Sequence, residues 1–90
     1  MGVFMVVKMH FFDVYMCQQL NAKLQFYDNY LMNRYRLNIS SLDFTKVNEL
    51  CFVLRSRLQK IVDKYIPADF DCVNWSIDFD SGEVTLNAAH

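Results

Sequence analysis

The feature that most constrains this chain is an unbroken apolar pattern between residues 44 and 65. Its members, spaced alternately three and four residues apart, are Phe44, Val47, Cys51, Leu54, Leu58, Ile61 and Tyr65. This a/d spacing over three heptads places all of them on one face of an α-helix. The sequence therefore predicts a helix over residues 43–66 with one face committed to a packing partner.

A second amphipathic stretch precedes this helix and predicts another helix over residues 12–36. Its buried face is predicted to comprise Met16, Leu20, Leu24, Tyr27 and Leu31. Asp13 is expected to be the N-cap, because its side chain can accept hydrogen bonds from the free N–H groups of the first turn. The pattern breaks only at residues 37–41, and so short a connection predicts that the two helices are antiparallel neighbours.

A β-hairpin is predicted for residues 70–87. Pro67 ends the helical pattern, and Gly82 lies in a short polar stretch, where a hairpin loop needs a left-handed residue. Apolar and polar residues alternate on both sides of that loop. The apolar face of the hairpin, expected to lie on the helices, comprises Trp75, Ile77, Phe79, Val84 and Leu86.

Residues 1–9 fit two interpretations. Their β-branched residues favour a short strand, which would give the hairpin the third strand that it needs to be stable in water. If translation starts at Met9 rather than at Met1, the same residues are a disordered extension. The fold class predicted is α+β. A long antiparallel helical hairpin is followed by a β-hairpin, with a short N-terminal strand, in one domain over residues 1–90.

The amount of apolar surface suggests a protein partner. Of the 90 residues, 53% are apolar, whereas a chain of this size buries only about 60–65% of its extended surface. Several aromatic and acidic residues and one valine point away from the predicted core and are candidate partner-binding residues. They are Tyr15, Phe26, Tyr30, Phe52, Val53, Asp71, Asp78 and Asp80. We expect self-association, docking on another protein, or both.

The charges are unevenly distributed, which supports an alternative function. Residues 1–68 carry nine basic and five acidic residues (+4), and residues 69–90 carry five acidic and no basic ones (−5). Clustered cations are what phosphate contacts require. The candidate nucleic-acid-binding residues are Arg34, Arg36, Lys46, Arg57, Lys60 and Lys64. A solvated basic flank is the commoner reason for such a pattern.

No motif indicates catalysis, a metal site or a cofactor. The two histidines, His10 and His90, lie near the two ends, and the three cysteines show neither metal-ligand spacing nor a CxxC pair. Cysteines of this kind are typical of core thiols in a reducing compartment, so we expect a cytoplasmic protein without a signal peptide or a membrane span.

Together these features predict a small non-catalytic regulator, an inhibitor or adaptor that works by occupying the surface of another protein and also self-associates. Its size and composition would fit an origin in a phage or mobile element. The alternative is a small nucleic-acid-binding regulator that uses the basic flank of the second helix. An enzyme is the third hypothesis, and the sequence offers no site for it.

Overall fold

The computed structural model describes residues 3–89 and contains five elements in chain order. They are β1 (Phe4–Lys8), α1 (Phe11–Met32), α2 (Ser41–Asp63), β2 (Cys72–Asp78) and β3 (Glu83–Ala88). The predicted α+β class is confirmed, as are the helical hairpin, the β-hairpin after it and the N-terminal strand.

The three strands form one antiparallel sheet in the order β1-β3-β2. The last strand of the chain is therefore the central one. It pairs with β1 in a register that places Thr85 opposite Val6, and with β2 in a register that places Thr85 opposite Ser76. A bulge interrupts the β2–β3 pairing between Cys72 and Asn74.

The heptad pattern of α2 forms the centre of the core. Cys51, Leu54 and Leu58 are buried, and Phe44, Val47, Ile61 and Tyr65 are partly buried along the same seam. The inner face of the sheet closes this core from one side. Val84 and Leu86 of the central strand are fully buried, and Met5, Val7, Trp75, Ile77 and Phe79 pack around them.

The structure corrects the prediction for α1 in two respects. Met16 is 38% exposed, and Cys17 beside it is fully buried and takes its place in the buried face. The rest of that face is as predicted: Leu20 and Leu24 are buried, and Tyr27 and Leu31 pack on the core. The N-cap is His10 rather than Asp13. The His10 side chain accepts a hydrogen bond from the Phe12 N–H, and the helix begins at Phe11.

The first helix also ends earlier than the predicted residue 36. It stops at Met32, and residues 33–38 form turns that end at Asn38, whose φ of 56° is left-handed. Asparagine tolerates this conformation better than most residues, and it reverses the chain direction here. The second helix then begins with a Ser40 cap, whose Oγ accepts a hydrogen bond from the Asp43 N–H at 3.1 Å.

The β2–β3 turn is positioned against α1. The Asp78 carboxylate accepts hydrogen bonds from the N–H groups of Asp80 and Ser81, which organises the turn. Gly82 has a φ of 76°, and a Cβ at this position would lie 3.3 Å from Cγ2 of Val14. The left-handed backbone favours glycine here, and a side chain would also be in tight contact with α1.

The sheet covers only part of the helix pair. Between residues 25 and 50, which include the far ends of both helices and their connection, no residue is buried. We call this segment the distal arm. Its seam residues, among them Tyr27, Leu31 and Phe44, are only partly buried because the two helices cover one another there without help from the sheet. Neither described helix is long and apolar enough to cross a membrane.

The cysteines give a direct test of this core. Burial raises the pKa of Cys17 to about 11 and also raises the pKa of Cys51, whereas Cys72 is partly exposed on the sheet. Because the thiolate is the reactive form, we expect Ellman's reagent to modify one thiol quickly at mildly alkaline pH and the other two only after unfolding. In Cys72→Ser the fast phase should vanish. Three equally fast thiols would contradict the described packing.

Candidate interaction surface

Two contacts show how the sheet lies on the helix pair. Trp75 of β2 donates a hydrogen bond from Nε1 to Oε1 of Gln59 at 2.9 Å, which places β2 over α2. The turn at Gly82, which joins β2 to β3, approaches Val14 of α1. The strand β1, at the opposite edge from β2, therefore lies on the α1 side of the molecule.

The outer side of α1 carries exposed aromatic residues. Tyr15 is 56% and Phe26 is 68% exposed. They lie 11 residues apart, so they are about 20° apart around the helix axis and about 16 Å apart along it. Phe26 is two residues from Asp28, which bonds to Arg55 of α2. Tyr15 is two residues from Asp13, which bonds to Lys64, the residue that caps α2. Two residues correspond to about 160° around the helix axis. Both rings therefore point away from α2.

The other candidate apolar residues are not all on this side. Phe52 is 71% and Val53 is 42% exposed on α2, while Tyr30 is partly buried. Arg55, three residues after Phe52, bonds to Asp28 of α1 at 3.0 Å, so Phe52 lies near the groove between the helices rather than beside Phe26. The structure thus separates the predicted residues into a flank of α1 and a surface on α2.

The acidic candidates are also dispersed. Asp71 immediately precedes β2 and Asp78 is its last residue, so they are about 23 Å apart at the rise of a strand. Asp78 uses its carboxylate to organise the β2–β3 turn, and Asp80 lies within that turn. The three aspartates do not form one acidic patch.

The basic candidates have different roles in the structure. Lys64 is paired with Asp13 at 3.0 Å, and Arg34 is packed at the end of the distal arm. Lys46, Arg57 and Lys60 lie on one flank of α2, and they make no ion pair with any carboxylate of the described residues. Arg36 is exposed in the connection between the helices.

The end of the distal arm contains an arrangement that the sequence pattern did not indicate. The guanidinium of Arg34 lies 4.8 Å from the centre of the Tyr35 ring and 4.7 Å from that of Phe44. Stacking of this kind fixes a long side chain against the aromatic faces. The Tyr35 ring remains 85% exposed. The signal in the sequence was the neighbouring pair Arg34-Tyr35, but the approach of Phe44 depends on how the connection folds.

The main polar cluster joins the start of α1 to the end of α2. Asp13 accepts hydrogen bonds from Lys64 Nζ at 3.0 Å and from the Tyr65 hydroxyl, which itself accepts one from the His10 N–H at 3.0 Å. The bonds from Tyr65 and Lys64 hold the pKa of Asp13 below its usual 3.8. Burial and the bond to Asp13 raise the pKa of Tyr65 above 10.0. The cluster fastens the two helices together.

This cluster has the geometry of a structural contact. Among residues 3–89 the one histidine is His10. Its Nδ1 caps α1 by accepting a hydrogen bond from the Phe12 N–H, so the Nδ1 lone pair is already engaged. Cys17 and Cys51 are buried with raised pKa values, which keeps them as unreactive thiols. Among the described residues, no group of three or more His, Cys, Asp or Glu side chains is placed to hold a metal ion.

Comparisons with family models, with curated proteins and with solved structures found no match.

The polar cluster predicts a specific loss of stability. Asp13→Asn removes the charged acceptor, and Tyr65→Phe removes a donor and leaves the His10 N–H without its partner. We expect each to lower the free energy of unfolding by about 1–3 kcal/mol, measured by urea denaturation at neutral pH. Lys64→Met, which removes only the exposed ion pair, is the matched control and should cost less than about 1 kcal/mol.

The pH dependence follows from the sign of the Asp13 shift. Because its pKa is lower in the folded state, the ionised carboxylate stabilises the fold above the ordinary pKa of 3.8. This contribution is lost as the pH falls through the folded pKa. The acid limb of the stability profile should therefore be shallower in Asp13→Asn than in the unmodified protein. Parallel acid limbs would show that Asp13 is not linked to folding.

Proposed function

We propose that this protein is a small non-catalytic regulator, an inhibitor or adaptor, that binds another protein through its distal arm. The observation that carries this proposal is the exposure of large apolar side chains on and beside a helical segment with no buried residue. These side chains, all at least 55% exposed, are Phe26, Met32, Tyr35, Leu37, Leu42 and Phe52.

Burial of apolar surface is the driving force that the arm offers. Its basic residues (Arg34, Arg36 and Lys46) and its acidic residues (Asp28, Asp43 and Glu49) are equal in number. The segment therefore has no net charge with which to attract a partner of one sign. Aromatic side chains bury about 150–250 Å² each and are common anchors in interfaces. The partner surface that suits this arm is an apolar groove on another protein.

Binding of a partner would also complete the packing of the distal arm. Its seam is only partly buried, so a partner that encloses Phe44 and Leu31 completes a core that the sheet does not reach. Arg34, held between Tyr35 and Phe44, is already positioned before binding, which lowers the entropy lost on association. The three cysteines are free thiols, which supports a reducing compartment such as the cytoplasm as the place of action.

Photo-crosslinking in cells tests this proposal. p-Benzoylphenylalanine is introduced in place of Phe26 or of Phe52, and in place of Ser76 on the outer face of the sheet as the control. We expect a discrete adduct with one other protein from Phe26 in the arm and from Phe52 beside it, and none from Ser76. The adduct should be suppressed by excess unlabelled protein but not by the Phe26→Ser/Phe52→Ser variant. Identical adducts from all three positions would contradict a role for the arm.

A nucleic-acid-binding regulator is the second candidate, supported by Lys46, Arg57 and Lys60, which make no ion pair within residues 3–89. If they contact phosphates, binding of a fluorescent oligonucleotide should weaken linearly with the logarithm of salt concentration. Arg57→Glu/Lys60→Glu should then reduce that slope by about 2, measured by anisotropy. Lys23→Glu, which changes an exposed lysine on α1, is the control. An unmodified protein that binds no DNA or RNA at low salt would exclude this candidate.

A further inference from the structure

The outer edge of the sheet at β1 is free in the described structure. The Val3 carbonyl accepts a hydrogen bond from the Ala88 N–H, and the Met9 N–H donates one to the Gly82 carbonyl, both at 2.8 Å. In an antiparallel pair every second residue bonds to the same neighbour, so residues 3, 5, 7 and 9 face β3. The backbone N–H and C=O groups of Phe4, Val6 and Lys8 consequently point out of the sheet.

The two edges of the sheet differ in how well they are protected. At β2, the bulge between Cys72 and Asn74 interrupts the strand, which is a common way of blocking further pairing. At β1 the register is regular over its full length, with no bulge and no proline. Its one charged residue, Lys8, donates from Nζ to the Ser81 carbonyl. The ammonium therefore lies towards the β2–β3 turn and does not place a charge at the free edge that would oppose pairing.

We propose that β1 pairs with β1 of a second copy of this chain, in antiparallel orientation, about a twofold axis at Val6. The two three-stranded sheets then form one sheet of six strands. With Val6 opposite Val6 of the second copy, Phe4 lies opposite Lys8 and Lys8 opposite Phe4. All three outward-facing residues of each strand are paired, which gives about six backbone hydrogen bonds.

This register also matches the side chains on both faces. On the outer face, Val6 is 49% and Phe4 is 64% exposed in the single chain. Pairing brings the two Val6 side chains together and places each Phe4 ring opposite Lys8 of the second copy. On the inner face, Met5 meets Val7 of the second copy, which continues the apolar row formed with Leu86.

The side of α1 that points away from α2 supplements this contact. A pair of five-residue strands alone buries less than the roughly 800 Å² per partner that is usual for stable complexes. The exposed Tyr15 ring lies on the same side of the molecule as β1, since β2 lies over α2 and β1 is at the opposite edge. It provides further apolar area beside the strand pair.

The inference goes beyond the proposed function, because it adds self-association through a surface other than the distal arm. It rests on the proposed function only for its biological purpose. Residues 25–50 remain uncovered in such a dimer, so each copy presents one arm. Loss of dimerisation and loss of partner binding are therefore separately measurable.

The twofold axis permits a test by charge. Val6→Lys and Val6→Glu each place like charges opposite one another, and we expect the dimer dissociation constant to rise at least about tenfold in each. An equal mixture of the two variants should recover a heterodimer, because the introduced ammonium then faces the introduced carboxylate across the axis. Light scattering coupled to size exclusion at micromolar concentration distinguishes the dimer from a monomer of 10.7 kDa.

Control variants make each outcome decisive. Ser76→Lys and Ser76→Glu change the same row of the outer sheet face away from the axis, and they should leave the dimer intact, as should Phe26→Ser/Phe52→Ser. Far-UV circular dichroism verifies that the Val6 variants are folded. An unmodified protein that is monomeric throughout would overturn the proposal. So would a dimer that survives Val6→Lys, or one that is lost only in Phe26→Ser/Phe52→Ser.

Discussion

The architecture depends on a difference in length between two layers. The helices have 22 and 23 residues, or about 33–35 Å, whereas the strands have five to seven residues and reach about 23 Å at most. A sheet of this size can enclose the helix seam from Cys17 to Leu24 and from Cys51 to Val62, which is where the buried helical residues are. The helical residues beyond this range have no second layer. The exposure of the distal arm is thus a geometric consequence of short strands on long helices.

The heptad pattern explains why this arrangement still holds together. The seam of α2 extends beyond the part that the sheet covers, and α1 and α2 pack on one another. The helix pair therefore continues past the sheet as a unit. The Asp28–Arg55 ion pair lies towards this extension, while the Asp13–Tyr65 cluster is at the other end of the pair. The helix pair is therefore fastened most firmly where the chain enters α1, and its far end relies on partly buried contacts.

Much of this fold could be predicted from the sequence, because several signals were local. The seam of α2 repeats without interruption, Gly82 marks the hairpin turn, and alternation defines β2 and β3. The buried face of α1 was harder to predict, because apolar residues occur around much of its circumference and Met16 is as hydrophobic as Cys17. Only packing against α2 and the sheet decides between them. The cap at His10 was missed for a similar reason, since Asp13 has a stronger intrinsic capping tendency but is drawn to Tyr65 and Lys64.

The candidate site was only partly predictable. Exposure of Tyr15, Phe26 and Phe52 follows from helical periodicity, yet their separation onto different sides requires the direction of α2, which periodicity does not give. The role of Lys64 was likewise inaccessible, because its partner Asp13 is distant in the chain. Asp78 differs, since it bonds to the nearby N–H groups of Asp80 and Ser81. The edge at β1 depends on the strand order, and no local signal states that β3 lies between β1 and β2.

That strand order also has a consequence for biosynthesis. The central strand β3 leaves the ribosome after the other four elements, and β1 has no partner in the sheet until β3 arrives. The helices can pair earlier, through contacts between neighbours in the chain, but Leu58 and Val62 then remain with one side uncovered. Such a nascent intermediate exposes apolar surface and an unpaired strand together, the combination that chaperones recognise. The sheet can therefore close only after β3 has been synthesised.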